Sequence, residues 1–185
     1  MEEQSDESIA LTVQAGDLHA FGLLVDRYAP KMGRYAQKFL FGYDDAQDAI
    51  QEVFIKAYRN IKSFDTNRRF SPWLYRIAHN EFINIIKKKG REPISLVELD
   101  TIVPYPGNQE LADKTFDNAI VKHTLEENLK LLDPKYREPL ILFYFEDLDY
   151  NQISAIMRIP VATVGVRLRR GRALLHTLYM KNQPV

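Results

Sequence analysis

Apolar side chains recur at helical spacing through most of the chain, and no segment shows the strict alternation of a half-buried strand. Phe21, Leu24, Val25 and Tyr28 make one apolar stripe. Ala46, Ala49, Ile50, Val53, Phe54, Ala57, Tyr58 and Ile61 make a second, a nearly complete i, i+3, i+4, i+7 set that would bury one face of a helix. Ser71-Pro72 reads as the N-cap and first position of a third helix, running through Trp73, Leu74, Ile77, Ala78, Phe82 and Ile85. Lys87-Lys88-Lys89-Gly90 ends it, with cations at the negative end of the helix dipole and a glycine for the cap.

From about 91 to 118 the pattern breaks. Pro93, Pro104, Pro106 and Gly107 interrupt any long helix, and six acidic residues between Glu92 and Asp117 face Lys114 as their one counter-charge. Helices are expected to resume near Asn118, and Asp133-Pro134 repeats the pairing of an N-cap with a first-turn proline. Two further helices are predicted at 150–157 and 161–178, separated by Arg158-Ile159-Pro160. The fold class that follows is all-α. A helical bundle at residues 1–91 and a helix-turn-helix domain at 119–185 would be joined by an acidic, extended linker at 92–118.

Composition narrows the chemistry. With no cysteine in 185 residues, a disulfide scaffold, a thiolate zinc site and a thiol nucleophile are all excluded. The acidic start Met1-Glu2-Glu3-Gln4-Ser5-Asp6-Glu7 is unlike a signal peptide, and no apolar run approaches the roughly 20 residues of a membrane-spanning helix. No membrane insertion and a cytoplasmic location are therefore expected. His19, His79, His123 and His176 are scattered, and none has a glutamate three residues before it, so a di-iron bundle is not indicated. Phosphate-binding loops, zinc-protease motifs and nucleophile elbows are also missing from the sequence. We expect no cofactor, no metal and no catalysis.

Net charge is zero, from 25 basic and 25 acidic residues, but the charges are segregated. Base concentrates at Arg68-Arg69, at 87–91 and from Arg167 to Arg172, and such local fields govern attraction to phosphates. On a helical wheel from Val161, the residues Val161, Val164, Leu168 and Leu175 share an apolar face, expected to dock on the preceding helices. Ala162, Thr163, Val166, Arg167, Arg169 and Arg170 face the other way, with Arg172 near the border and suited to a phosphate. An apolar back with small and hydrogen-bonding residues in front suits a helix entering the major groove. A merely solvated amphipathic helix would share much of this pattern. The small Ala155 is expected where the two helices cross.

Trp73, Arg76, Asn80, Ile83, Asn84 and Lys87 lie opposite the apolar stripe of the 71–89 helix, with Phe64, Arg68, Arg69 and Phe70 just upstream. Aromatics interleaved with amides and cations suit single-stranded DNA, in which rings accept unstacked bases and amides read their edges. The alternative is that Trp73 and both phenylalanines are core residues. In the preceding helix Asp45, Asp48, Gln51 and Glu52 surround Ile55, an apolar residue aimed away from that helix's own core and suited to protein docking.

The stretch from Tyr150 to Val164, followed by Arg167-Leu168-Arg169-Arg170-Gly171-Arg172, resembles the fourth conserved region of extracytoplasmic-function sigma factors of the sigma-70 family. Leu132 to Pro139 and Phe145-Glu146-Asp147-Leu148 resemble that region's earlier helices. Asp44 to Tyr58 and Phe64 to Asn84 resemble the family's second conserved region. The resemblance implies a subunit that binds core RNA polymerase and directs it to promoters. The Asp44–Tyr58 helix would grip the beta-prime clamp helices, and the C-terminal domain would contact the beta flap. Phe64 to Lys87 would melt and capture the minus-10 element, with Asn80 at a flipped base. Residues 162–172 would read the minus-35 element, and an anti-sigma factor is expected as a further partner. Three positions depart from the family pattern. Arg158 stands where glycine is common, Gly165 where a polar or basic residue is usual, and Gly171 where alanine is common. Glycines cost a helix interior about 1 kcal/mol each relative to alanine, so a softened recognition helix is expected. A stand-alone helix-turn-helix regulator would share the C-terminal features and leave the other two faces without a role.

Overall fold

A computed structural model of the chain describes residues 4–41, 46–89 and 128–182. Seven α-helices are described: α1 (Asp6–Gln14), α2 (Ala20–Phe39), α3 (Ala46–Asn60), α4 (Phe70–Lys89), α5 (Pro134–Tyr144), α6 (Tyr150–Met157) and α7 (Val161–Asn182). No strand occurs among the described residues, as the absence of alternation predicted. The acidic linker and the resumption of helix near Asn118 lie outside them.

Helices α1 to α4 form the N-terminal bundle around Leu24, Met32, Tyr35, Phe39, Val53, Leu74 and Phe82, each no more than 1% exposed. Helix α1 was not expected from the acidic N-terminus, yet its cause is local. The Ser5 side chain caps the Ser8 N–H at 3.2 Å, and Asp6 and Glu7 occupy the first turn, where the helix dipole favours acid. From its far end the Gln14 amide donates to the carbonyls of Ile61 (2.7 Å) and Phe64 (2.8 Å), so α1 braces the loop between α3 and α4.

Helix α4 begins at Phe70, one residue earlier than the Ser71-Pro72 signal indicated. The proline still falls in the first turn, where its missing N–H breaks no helical hydrogen bond. The Phe70 N–H, left without a partner inside the helix, donates to Glu7 of α1 at 2.9 Å. Asp133 caps α5 as expected, accepting from the Lys135 N–H at 2.9 Å.

The C-terminal helices pack on one another and also on the N-terminal bundle, α5 against α2 and α6 against α4. Lys38 lies over the Phe145 ring at 4.2 Å, and the buried Arg137 guanidinium lies over Phe39 at 5.4 Å. The described chain is closed.

Candidate nucleic-acid and polymerase-binding faces

The helix-turn-helix is α6, the turn 158–160 and α7, with both inner helix ends where the sequence places them. Asp149 and Gln152 cap α6 reciprocally: the Asp149 side chain accepts from the Gln152 N–H at 2.8 Å, and the Gln152 side chain accepts from the Asp149 N–H at 2.9 Å. The Ser154 hydroxyl closes the turn by donating to the Ile159 carbonyl at 2.6 Å. Arg158 sits in the left-handed region, φ 54° and ψ 44°, which explains why glycine suits this position. A side chain there costs about 1–2 kcal/mol, while glycine restores some unfolded-state entropy. Arg158→Gly is therefore expected to raise stability by roughly 0.5–1 kcal/mol. A higher urea midpoint at unchanged slope is the result to look for; an unchanged or lower midpoint refutes the strain.

Val164, Leu168 and Leu175 of α7 are buried as expected, each below 5% exposure. Val161 is a correction: it is 41% exposed, while Val164, three residues on in the same turn, is the first residue of α7 to be buried. Ala155 is exposed too, so it is not the close-contact residue of the crossing. A close approach occurs instead between α5 and α7 at Gly171, where a Cβ would lie 2.8 Å from Leu140 Cδ1, 3.3 Å from its Cγ and 3.4 Å from the Tyr136 carbonyl oxygen. The glycine thus lets α5 and α7 approach closely, which corrects its reading as a soft point. Gly171→Val adds bulk and a β-branch at this contact and is expected to destabilise the protein by about 1–3 kcal/mol in thermal melts. An unperturbed melt refutes the close-approach role. At Gly165 a Cβ would meet Tyr150 at an ordinary 3.6 Å, so the structure leaves that position available to a side chain.

On the outer side of α7, Ala162 and Arg169 are exposed, and Thr163, Val166, Arg167, Arg170 and Arg172 are half-buried. The N-terminal front of the helix is open, and its arginines follow behind.

In the N-terminal bundle a groove of about 270 Å³ runs between α3 and α4, lined by Trp73, Asn80 and Asn84 together with Lys56, Asn60 and Ser63. Asn80 and Asn84 are exposed and their amides are free to meet a ligand's edge. Lys56 forms an ion pair with Glu81 across the groove and lies 3.6 Å from Glu52, contacts that raise the lysine above its ordinary value, the hydrogen bond to Glu81 first among them. The sequence reading did not single out Lys56, Asn60 or Ser63, since they belong to another segment and meet α4 only in the fold. Arg76 is half-buried and Lys87 exposed on the same helix, though neither lines the groove.

Phe64 corrects the expectation of an accessible ring. It is 5% exposed, with its centroid 5.2 Å from Trp73 and 5.4 Å from Phe70. The core alternative holds for both phenylalanines, and half-buried Trp73 is the ring that reaches the groove. Arg68 and Arg69 are exposed on the loop before α4. Arg68 pairs loosely with Asp65 at 3.4 Å, while backbone and side-chain hydrogen bonds from Asn67 hold the Asp65 carboxyl below its usual value.

On α3, Asp48 and Gln51 are exposed, Glu52 is half-buried and Ile55 is 43% exposed. The apolar outlier within an acidic face is present as the sequence indicated. Asp45 lies outside the described residues. No group of three or more His, Asp or Glu able to hold a metal occurs among the described residues, and no helix there is long and apolar enough to cross a membrane.

Residues 24–92 match the family described as sigma-70 region 2, and residues 123–175 match that described as sigma-70, region 4. The ECF RNA polymerase sigma factor SigW of Bacillus subtilis (strain 168) is 38% identical over 171 residues, which is 88% of this chain and 90% of that protein. The ECF RNA polymerase sigma-E factor of Escherichia coli (strain K12) is 32% identical over 179 residues, 92% of each. Among solved structures, CnrH in complex with the cytosolic domain of CnrY aligns with a TM-score of 0.72 at 23% identity, over 97% of this chain and all of that one. The sigma factor RpoE in complex with the anti-sigma factor NepR from Bartonella quintana aligns at 0.64 and 23%, over 88% of this chain and 98% of that one. These two likenesses bear on the fold, and the sequence matches bear on the family. The helix-turn-helix, the grooved bundle before it and the matches along nearly the whole chain agree, and the protein belongs to the extracytoplasmic-function sigma factors of the sigma-70 family.

Proposed function

We infer that the chain is an alternative sigma factor: it binds core RNA polymerase and directs promoter-specific initiation, recognising minus-35 and minus-10 elements and assisting melting. The observation that carries the minus-10 assignment is the groove between α3 and α4, where an indole and two exposed asparagine amides meet. In this reading Trp73, Asn80 and Asn84 hold an unstacked base, and Arg68, Arg69, Arg76 and Lys87 follow the phosphates. Phe64 acts from below by packing on Trp73. Ala162, Thr163 and Val166 meet base edges in the duplex, with Arg167, Arg170 and Arg172 reaching bases or phosphates. Asp45, Asp48, Gln51, Glu52 and Ile55 form the polymerase-docking face. Residues 1–91, 92–118 and 119–185 act as melting domain, linker and duplex-reading domain.

Polymerase performs the chemistry, so the chain itself needs neither catalysis nor cofactor and works in the cytoplasm where polymerase and promoters are. Zero net charge means weak attraction of the free chain to DNA and dependence on polymerase for useful affinity. The solved relative of similar fold in complex with an anti-sigma factor supports such a protein as a further partner. Run-off transcription tests the whole reading, with core polymerase alone and core plus this protein on a promoter library. Protein-dependent transcripts support it. Tight duplex binding without polymerase, and no initiation with it, overturns it.

A further inference from the structure

Two carboxylates of the C-terminal domain, Glu138 of α5 and Glu146 of the loop after it, are inserted into the N-terminal bundle, and neither belongs to the faces assigned above. The Glu138 side chain, 1% exposed, lies between α2 and α4. The Tyr35 hydroxyl donates to its Oε1, and His79 Nδ1 is 2.5 Å from the same oxygen. The Glu146 side chain is also 1% exposed; its Oε2 accepts from the Tyr75 hydroxyl at 2.5 Å and lies 3.6 Å from Arg34 Nη2. Its Oε1 is buried with no hydrogen-bond partner among the described residues.

The buried apolar core runs through both domains, and within it a buried charge is tolerated only while its partners remain in place. Here four partner side chains on two helices must all be present. The closed arrangement is also too short for the task assigned above. Helix α6 packs directly on α4, and packed helices have axes roughly 8–10 Å apart. Elements centred about 25 base pairs apart lie ~85 Å from one another at 3.4 Å per step. The closed chain cannot touch both.

We propose that Glu138 and Glu146 form a two-point polar latch that holds the free chain closed, and that promoter engagement through polymerase requires this latch to open. The need for opening rests on the two-element reading; the closure itself does not.

The latch is pH-sensitive. Burial acts to lower His79, but the Glu138 charge and hydrogen bond outweigh it and leave the imidazole raised, against the opposing charges of Arg158 and Lys87. Burial raises the Glu146 carboxyl, with Asp147 adding to it and Tyr75, Arg34 and Lys31 opposing. The Tyr35 and Tyr75 phenols are raised by burial and stay neutral. For both raised groups the stability of closure is fully present below the ordinary value and lost as pH rises through the raised one. Closure therefore weakens upward through neutral pH.

The full chain has no cysteine, so dyes attach only at introduced ones. Exposed Lys62 and Thr177 lie on the two domains, and Lys62→Cys with Thr177→Cys gives a pair for energy transfer. High transfer is expected at about pH 6, below the ordinary histidine value, falling as pH rises above that value. Glu138→Ala with Glu146→Ala should give low transfer throughout and about 3- to 10-fold tighter core binding, since the closed fraction no longer competes. Glu138→Gln keeps the shape and removes the His79 part of the pH response, leaving that of Glu146. Near-UV circular dichroism establishes that each variant is folded; if the double variant is not, the response of Glu138→Gln decides. A pH-independent wild type, or high transfer in a folded double variant, overturns the latch. A chain that initiates transcription without pH-dependent transfer sinks the latch alone, and a chain that closes as described but never initiates sinks the sigma reading alone.

Discussion

Asp48→Arg combined with Ile55→Glu is expected to weaken binding to core polymerase by about 2–4 kcal/mol, a loss of roughly 30- to 1000-fold in affinity. Both side chains are exposed on α3, and neither contributes to the core of the bundle. An exposed isoleucine framed by Asp48, Gln51 and Glu52 has the arrangement of an interface anchor, an apolar centre within a polar rim. The double substitution makes that centre charged and reverses one charge of the rim. Helical content and melting temperature should be preserved, which separates lost docking from lost folding. Glu52→Gln should cost less, because Glu52 already shares Lys56 with Glu81. Unchanged affinity of the double variant in a pull-down refutes the docking face.

The second large effect is expected at Asn80. Its exposed amide opens into the groove beside Trp73, where an extruded base would sit. Removing the amide leaves a base edge without its partner at the stage when unstacking must be compensated, a loss of about 1–3 kcal/mol or roughly 5- to 150-fold in open-complex formation. Core binding by Asn80→Ala should be unchanged. Trp73→Ala should also lower open-complex formation, and it should destabilise the bundle as well, since its ring rests on Phe64 and Phe70. Asn80→Ala is therefore the cleaner probe. Wild-type permanganate reactivity at the melted bases with that variant sinks the base-capture assignment.

Much of the architecture was legible because its causes are local. Asp133-Pro134 and Pro160 each fix a helix end through groups a few residues apart, and the Asp149–Gln152 capping pair, which went unread, acts at the same short range. Ile55 was recognisable from period alone, as an apolar residue out of phase with its own stripe. The missed features have causes distant in sequence. Tyr35 meets Glu138 across 103 positions, so closure leaves no periodic trace. The burial of Phe64 depends on α1 drawing its loop inward through Gln14, 50 residues away. Gly171 read as a helix weakener because propensity treats a residue alone, whereas Leu140 lies directly against it. Helix α1 did have a local signature, Ser5 followed by two acids, but its short apolar face carries little periodic signal.

The contact at Gly171 also makes α7 a lever. Ten residues separate it from Val161, about 15 Å at 1.5 Å per residue, and the leading turn beyond the fulcrum is the part that the proposed function offers to the duplex. A tilt of roughly 5° at that fulcrum sweeps the leading turn through ~1.3 Å, several times the tolerance of a hydrogen bond to a base edge. In the function proposed above, promoter preference is therefore adjustable from a position buried against α5. A single methyl group at residue 171 could shift which sequence is read while every base-facing side chain stays the same.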